Sequence, residues 1–203
     1  MTTREKIIEA ALDLFSTRGY EGVSVKDIAS AVGIKDSSLY KHFKSKREIF
    51  DTIMTVTSEK MDELSRILKL PDVMKEDGSG FYGRISVDLL VDISKKAFLF
   101  YLKDSYAARF RRMVTIEQYK STEVSSVYRK VFMEDSLDFQ TELFQQMIKS
   151  GYFKKSDPEV VALNFYSPIF YLLSRYDLRP EYEDEALALL EKHVRQFAKT
   201  YSR

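Results

Sequence analysis

Apolar residues recur every three or four positions along most of the chain, which is the spacing of a buried face on an α-helix. The first such run extends from Ile7 to Phe15. Thr2 and Glu5 precede it in the pattern of a capping box, and Gly19 follows it as a stop signal. This pattern predicts a first helix from about residue 3 to residue 18.

Three more helices are predicted before the first long break in the pattern. Ser24 is the expected N-cap of a short second helix that Gly33 ends, and a third short helix is expected over about residues 36–43. Ser45 opens a long fourth helix with another capping box, and Pro71 stops it. Residues 72–83 contain Asp-Gly-Ser-Gly and are predicted to be a loop.

The remaining chain predicts only helices, near residues 84–103, 105–119, 123–150, 157–178 and 182–201. Pro168 falls inside one of them, where it frees the carbonyl of Asn164 and predicts a kink. We interpret this kink as curvature at a packed interface, with a ligand-binding role as the alternative. The expected fold class is all-α, with a helix-turn-helix domain over residues 1–47 and a larger helical regulatory domain over residues 48–203.

Composition excludes several kinds of chemistry. The chain has no cysteine and two histidines far apart in sequence, so we expect neither a metal site nor a cofactor. It shows no phosphate loop, no catalytic Ser-His-Asp order and no paired carboxylates, which argues against an enzyme. The longest apolar stretch, Ala97–Leu102, is too short to cross a bilayer, and a cytoplasmic protein without a membrane partner is expected.

The net charge of +1 conceals a local basic patch. Between Lys35 and Arg47 five basic residues stand against one acidic residue, Asp36. Charge alone leaves two interpretations open, a nucleic-acid surface or an ordinary solvated helix.

The segment from Val25 to Phe43 has the pattern of a helix-turn-helix. Ala29 is small where two helices must approach closely, and Gly33 provides the positive φ that a tight turn requires. Apolar residues hold the pair together from within. The outward face of the second helix then carries hydrogen-bonding side chains, namely Lys35, Ser37, Ser38, Tyr40, Lys41 and His42.

Residues 7–50 resemble the N-terminal domain of the TetR family of regulators. The resemblance is carried by Ala10-Ala11-Leu12-Asp13-Leu14-Phe15, Gly19-Tyr20, Ser24-Val25-Lys26-Asp27-Ile28-Ala29, Ala31-Val32-Gly33-Ile34, Leu39-Tyr40-Lys41-His42-Phe43 and Lys46. The chain departs from the family at Lys35, where a Ser cap is frequent, and at Ser37, where Gly is frequent. Asp36 is the expected substitute cap.

The resemblance assigns roles in DNA binding. Contacts to phosphates are expected from Ser24 and Lys26 at the start of the second helix, from Tyr40 and His42, and from Lys46. Contacts to base edges are expected from Lys35, Ser37, Ser38 and Lys41. Asp36 is assigned to capping, with acceptance of a cytosine amine as the alternative. Ser24 also caps its helix, and for His42 a packing or solvent-exposed ring is the alternative.

The resemblance also implies a ligand cavity among the aromatic-rich C-terminal helices, although any one aromatic residue there is more often part of the core. An apolar or amphipathic small molecule is expected. The candidate lining residues are Tyr101, Phe110, Met113, Gln140, Phe165 and Tyr166.

A homodimer is expected through the last two helices, on a near-palindromic DNA operator. The final helix carries a wide apolar stripe, for which packing within its own subunit is the alternative. The stripe consists of Ala186, Leu187, Leu189, Leu190, Val194, Phe197 and Ala198.

Three functions follow from these observations. The preferred one is a repressor released from DNA by a small molecule, with the long fourth helix transmitting the signal. The second is a regulator that responds to a protein partner or activates transcription. The third is a helical small-molecule-binding protein whose first domain no longer binds DNA.

Overall fold

The computed structural model describes residues 1–67, 86–103 and 106–203, and the side chains of all of these except 57–67. Helices account for nearly all of this part of the chain, and its only β-type pairing is an isolated bridge between Phe153 and Ser202. The all-α prediction is therefore confirmed. None of the described helices is long and apolar enough to cross a membrane.

The helices are numbered in chain order. They are α1 (Thr3–Arg18), α2 (Val25–Val32), α3 (Asp36–Leu39), α4 (Lys46–Ile67), α5 (Val87–Lys103), α6 (Ala107–Glu117), α7 (Thr122–Arg129), α8 (Asp135–Lys149), α9 (Pro158–Tyr176) and α10 (Glu183–Tyr201). A π-helical segment, Lys130–Glu134, joins α7 to α8, and a 3₁₀ turn, Pro180–Tyr182, precedes α10. The predicted end of the fourth helix near Pro71 and the predicted loop over 72–83 lie outside the described residues.

The chain forms two compact units. The first contains residues 1–63 and 104–128, and the second contains residues 64–103 and 129–203. The predicted domain boundary between residues 47 and 48 falls in the first turn of α4, inside the first unit. The compact units and the predicted domains are thus different divisions of the chain.

The core of the first unit is built from the apolar positions predicted for α1 and α2. Ile7, Leu12 and Phe15 are fully buried, as are Ile28 and Ala29 of α2. Burying this much apolar surface holds three short helices together that would not be stable alone.

An aromatic cluster forms the core of the second unit. The Phe165 ring centroid lies 4.9 Å from that of Phe197 and 5.2 Å from that of Phe144. Phe144 stacks on Phe153 at 5.7 Å. This cluster connects α8, α9 and α10, so the aromatic richness of the C-terminal half serves the core at these positions.

The apolar stripe of α10 packs mainly into its own subunit. Five of its seven members are 0–5% exposed, and only Leu189 is exposed at 37%. For these five residues the alternative left open by the sequence is correct, and their apolar character does not indicate an interface. They are Ala186, Leu190, Val194, Phe197 and Ala198.

Exposed apolar side chains occur instead on α9. Val160, Leu163 and Tyr171 are 52%, 51% and 59% exposed. Their spacing of three and then eight residues places them along one side of the helix. Pro168 lies within α9, as predicted.

Candidate nucleic-acid interface

A capping box fixes the start of α2. The Ser24 side chain accepts a hydrogen bond from the Asp27 N–H at 3.1 Å, and the Asp27 carboxylate accepts from the Ser24 N–H at 2.8 Å. These bonds from Ser24 stabilise the ionised carboxylate and lower the pKa of Asp27. The predicted N-cap is confirmed, and the Ser24 hydroxyl is committed locally to this helix end.

The turn after α2 depends on Gly33. Its φ of 77° and ψ of 31° lie in the left-handed region, as predicted. The Gly33 N–H donates to the Ser30 carbonyl at 3.1 Å, and the Ile34 N–H donates to the Ala29 carbonyl at 3.0 Å. These bonds close the end of α2 and direct the chain into α3.

The helix α3 begins at residue 36 as predicted, but its cap and its end differ from the prediction. Lys35 is the N-cap residue and makes no side-chain capping bond, whereas Asp36 is the first helical residue. The assignment of Asp36 as the cap is therefore wrong. Regular helix ends at Leu39, although hydrogen-bonded turns continue, with the Phe43 N–H donating to the Leu39 carbonyl at 3.1 Å.

One side of this segment is anchored and the other is open to solvent. Leu39 and Phe43 are 0% and 1% exposed and fasten the segment to the core of the first unit. The predicted DNA-facing residues lie outside that core. Lys35, Asp36, Ser37, Tyr40, Lys41 and His42 are exposed, as are Ser24 and Lys26, while Ser38 is half-buried.

Lys46 makes contacts that the sequence did not indicate. Its ammonium donates to the Tyr20 carbonyl at 2.8 Å and to the Val23 carbonyl at 2.9 Å. It also lies 4.0 Å from the centroid of the Tyr20 ring. The side chain is half-buried and is held against the segment between α1 and α2.

The start of α4 is capped in a modified form of the predicted box. The Glu48 N–H donates to the Ser45 hydroxyl at 3.1 Å, as expected. The Glu48 carboxylate, however, accepts from the N–H of Lys44 at 2.6 Å rather than from that of Ser45. The helix still receives an acidic residue in its first turn, which favours its dipole.

The predicted ligand-lining residues fall in different parts of the structure. Phe110 and Met113 belong to the first unit and are fully buried there. Phe165 belongs to the aromatic cluster of the second unit. These three side chains are buried, and each stabilises the core of its own unit.

Tyr101 and Tyr166 are near one another in the second unit. The Tyr101 ring centroid lies 5.8 Å from that of Phe132, and the Tyr166 hydroxyl donates to the Phe132 carbonyl at 2.6 Å. Burial raises the pKa of Tyr101, and the Tyr166 phenol raises it further, so Tyr101 stays neutral. Gln140 of α8 has a buried side-chain oxygen with no hydrogen-bond partner among the described residues.

Sequence patterns gave no signal for the contacts of Lys46 or for the buried carboxylate of Glu117, which accepts the Tyr20 N–H at 2.9 Å. Both depend on segments remote in the sequence. Among the described residues no cluster of His, Asp or Glu is arranged to hold a metal ion.

Comparison with known proteins agrees with this geometry. The family model of the bacterial regulatory proteins of the tetR family matches residues 7–53. The negative transcriptional regulator IcaR of the biofilm operon icaADBC from Staphylococcus aureus strain Newman is 29% identical over 168 residues, covering 75% of this chain and 84% of IcaR.

Solved structures are similar to this chain in fold. SmeT, the repressor of the Stenotrophomonas maltophilia multidrug efflux pump SmeDEF, has a TM-score of 0.65 at 21% identity and covers 100% of this chain and 92% of its own. The fatty acid degradation regulator FadR from Bacillus halodurans has a TM-score of 0.67 at 18% identity, covering 98% and 95%.

The capped helix α2, its glycine turn and the short α3, with a buried inner side and an exposed polar outer side, form a helix-turn-helix, a motif typical of transcriptional regulators. Residues 7–53 are thus similar to the DNA-binding domain of the tetR family of bacterial regulatory proteins, and IcaR is similar along most of the chain.

Proposed function

We propose that this protein is a homodimeric repressor that binds a near-palindromic DNA operator and is released from it by a small apolar or amphipathic molecule. The observation that carries the proposal is the outer side of α3 and the following turn, where hydrogen-bonding and cationic side chains are exposed on an anchored helix. Such a helix fits the major groove of DNA. Relatives support the direction of control, since IcaR is a negative regulator and SmeT a repressor.

Within this surface we assign two kinds of contact. Lys35, Ser37, Ser38 and Lys41 read base edges, because they lie on and beside α3. The remaining residues grip phosphates and set the orientation of the protein without carrying sequence information. They are Ser24, Lys26, Tyr40, His42 and Lys46, while Asp36 is left with the role of accepting from a cytosine amine.

Replacing Lys41 by Ala tests the assignment. Lys41 is exposed, so its loss leaves the core intact, and losing one base contact costs about 1–3 kcal/mol of DNA-binding free energy. Fluorescence anisotropy on a duplex selected from a random pool should show this loss together with a changed base preference at one position. Lys149→Ala, an exposed lysine of α8, is the matched control and should bind as the wild type does. Equal binding by both variants would contradict the assignment.

Homodimerisation is assigned to α9 and α10. Val160, Leu163 and Tyr171 form an exposed apolar side of α9, and Leu189 adds to the exposed apolar surface of α10. Exposed apolar side chains in a row are typical of protein interfaces. Two copies would place two recognition helices on successive major grooves.

Ligand release is assigned to the second unit. Tyr101 and Tyr166 provide phenol groups beside the Phe132 ring, and the buried Gln140 oxygen requires a donor. Aromatic walls with a few polar anchors suit an amphipathic molecule. The SmeT structure with triclosan is a precedent for a ligand of that chemistry in a protein of this fold.

The ligand is proposed to act by shifting α4, which changes the separation of the two recognition helices. Ligand and DNA would then weaken each other by about 1–3 kcal/mol, equally in both directions. Calorimetric titration of the ligand with and without operator measures this coupling, and the absence of Trp makes calorimetry preferable to fluorescence. Equal ligand affinities would contradict the release mechanism. A protein that binds the ligand but binds no duplex DNA would favour the third function, a small-molecule-binding protein whose first domain no longer binds DNA.

A further inference from the structure

The backbone of Tyr20 lies between two charged side chains, which bond to its N–H and to its carbonyl. Its N–H donates to a carboxylate oxygen of Glu117 at 2.9 Å, and its carbonyl accepts from the Lys46 ammonium at 2.8 Å. All three residues belong to the first compact unit. The backbone of Tyr20 therefore connects the last residue of α6 with the first residue of α4.

Glu117 is buried rather than exposed at the protein surface. It is 4% exposed, and besides Tyr20 its carboxylate pairs with the Lys120 ammonium at 3.2 Å. A buried carboxylate needs such partners, because leaving it unpaired is costly. Its burial fixes the position of the oxygen that holds Tyr20.

The backbone before Tyr20 is shaped to admit this carboxylate. A Cβ at position 19 would lie 2.6 Å from the Glu117 oxygen, which is closer than real Cβ contacts. Gly19 also has φ 73° and ψ 165°, a conformation open essentially to glycine alone. Two independent features at one residue thus allow the approach of Glu117.

At the other end, the Lys46 ammonium is held in place by carbonyl oxygens. An ammonium has three N–H donors, and two of them go to the carbonyls of Tyr20 and Val23. The third donor is the one that a phosphate oxygen would take. A cation held in one position loses less entropy on binding than a free lysine does.

We infer that Glu117 is a positioning residue for DNA binding, which acts through the backbone of Tyr20 to hold the Lys46 ammonium where a phosphate of the duplex meets it. The inference rests on the proposed function. It makes α6 a structural support of the DNA-binding surface, although Glu117 itself touches no DNA.

The test measures affinity for a selected duplex at several salt concentrations. Replacing Glu117 by Ala removes the acceptor for the Tyr20 N–H and loosens Lys46. The expected result is the loss of one phosphate contact, which is roughly a tenfold weaker affinity near 0.1 M salt and a salt slope smaller by about 1. The fraction of active protein is fixed first by stoichiometric titration, so unfolded protein does not enter the affinity.

Two companion variants separate positioning from general stability. Glu117→Gln keeps a carbonyl oxygen for the Tyr20 N–H and should restore the wild-type salt slope. Glu123→Ala is the matched control, because Glu123 pairs with Arg47 beside Lys46 but is a 63% exposed carboxylate, and exposed pairs contribute little. It should bind DNA as the wild type does.

A double-mutant cycle gives the decisive comparison. If Glu117 acts through Lys46, the double variant Glu117→Ala with Lys46→Ala should bind no more weakly than Lys46→Ala alone. Should Glu117→Ala fail to fold, Glu117→Met fills the same space without an acceptor and enters the cycle instead.

The outcomes distinguish a failure of the Glu117 inference from a failure of the proposed function. Additive losses in the cycle, or a wild-type salt slope in Glu117→Ala, would overturn the inference while leaving DNA binding in place. A wild-type protein that enriches and binds no duplex would overturn the proposed function, and the inference with it.

Discussion

At the scale of single residues, Gly33 shows a position where the backbone alone dictates the amino acid. A Cβ there would meet no atom within 4 Å, so side-chain crowding plays no part. Replacing Gly33 by Ala should nevertheless lower the free energy of unfolding by about 1–2 kcal/mol, because φ is 77°. Urea denaturation followed by circular dichroism measures the loss.

The control at this position is Gly33→Asn, since Asn tolerates the left-handed region better than Ala does. It should retain most of the wild-type stability. If Ala and Asn variants unfolded at the same urea concentration as the wild type, the turn would not depend on glycine in the way argued here.

Contacts between residues close in sequence were predictable, whereas contacts between remote residues were not. The caps of α1 and α2 were predictable because each joins residues three apart, such as Ser24 and Asp27. The bond from Lys46 to the Tyr20 carbonyl joins residues 26 apart, and that from Tyr20 to Glu117 joins residues 97 apart. Nothing local distinguishes these lysine and glutamate residues from those on a solvated surface.

At the scale of the helices, the junction of α7 and α8 is the main departure from a regular prediction. The sequence predicts one helix over about 123–150, but the π-helical segment Lys130–Glu134 interrupts it. Two of its carbonyls find side-chain donors. The Ser136 hydroxyl donates to the Val131 carbonyl at 2.9 Å, and the Tyr166 hydroxyl donates to the Phe132 carbonyl at 2.6 Å.

Removing the Tyr166 hydroxyl should therefore destabilise this junction. Tyr166→Phe leaves the Phe132 carbonyl without that donor and should lower the free energy of unfolding by about 1–3 kcal/mol. Tyr119→Phe is the control, with an 89% exposed side chain outside the proposed interface, and should change little. Equal urea midpoints for the two variants would contradict the role given to this hydroxyl.

Helix boundaries were predictable only where the local sequence contains a cap or a stop signal. The ends of α1 were predicted correctly from Thr2 and Gly19, whereas α3 ends at Leu39 instead of near Phe43. No strong stop signal follows Leu39, and the burial of Leu39 and Phe43 together decides the path of the chain there. Tertiary packing, about which a local sequence pattern holds no information, overrides the predicted helix end at this position.

At the scale of the whole molecule, the proposed repressor is a dimer. Replacing Leu163 and Tyr171 together by Asp should give monomers, because both side chains are more than half exposed in the single chain and a charge there opposes association. Sedimentation velocity measures the change in mass. The DNA affinity should fall with it, since one recognition helix alone contacts only one half-site.

The control for this change is Tyr119→Asp, which also places a charge at an exposed aromatic residue, here 89% exposed in the first unit. It should sediment as the wild type does. A double variant that remains folded and dimeric would show that the exposed side of α9 is not the interface.

Fold class and the outward face of the helix-turn-helix followed from the sequence because both rest on periodic patterns and caps. The position of the proposed dimer interface did not follow from the sequence. The stripe from Ala186 to Ala198 has the apolar width expected of a shared surface, yet most of it completes the subunit's own core. Periodicity reveals that a face is buried but not by which partner.

Selection of duplex DNA from a random pool tests the central claim most directly. A two-fold dimer of this regulator should enrich related half-sites in inverted orientation, with centres about one helical turn or a whole multiple apart. Binding to the enriched duplex should weaken steeply between about 50 and about 200 mM salt. Enrichment of single unrepeated half-sites would contradict the dimeric arrangement, and enrichment of no sequence at all would contradict the assignment as a DNA-binding regulator.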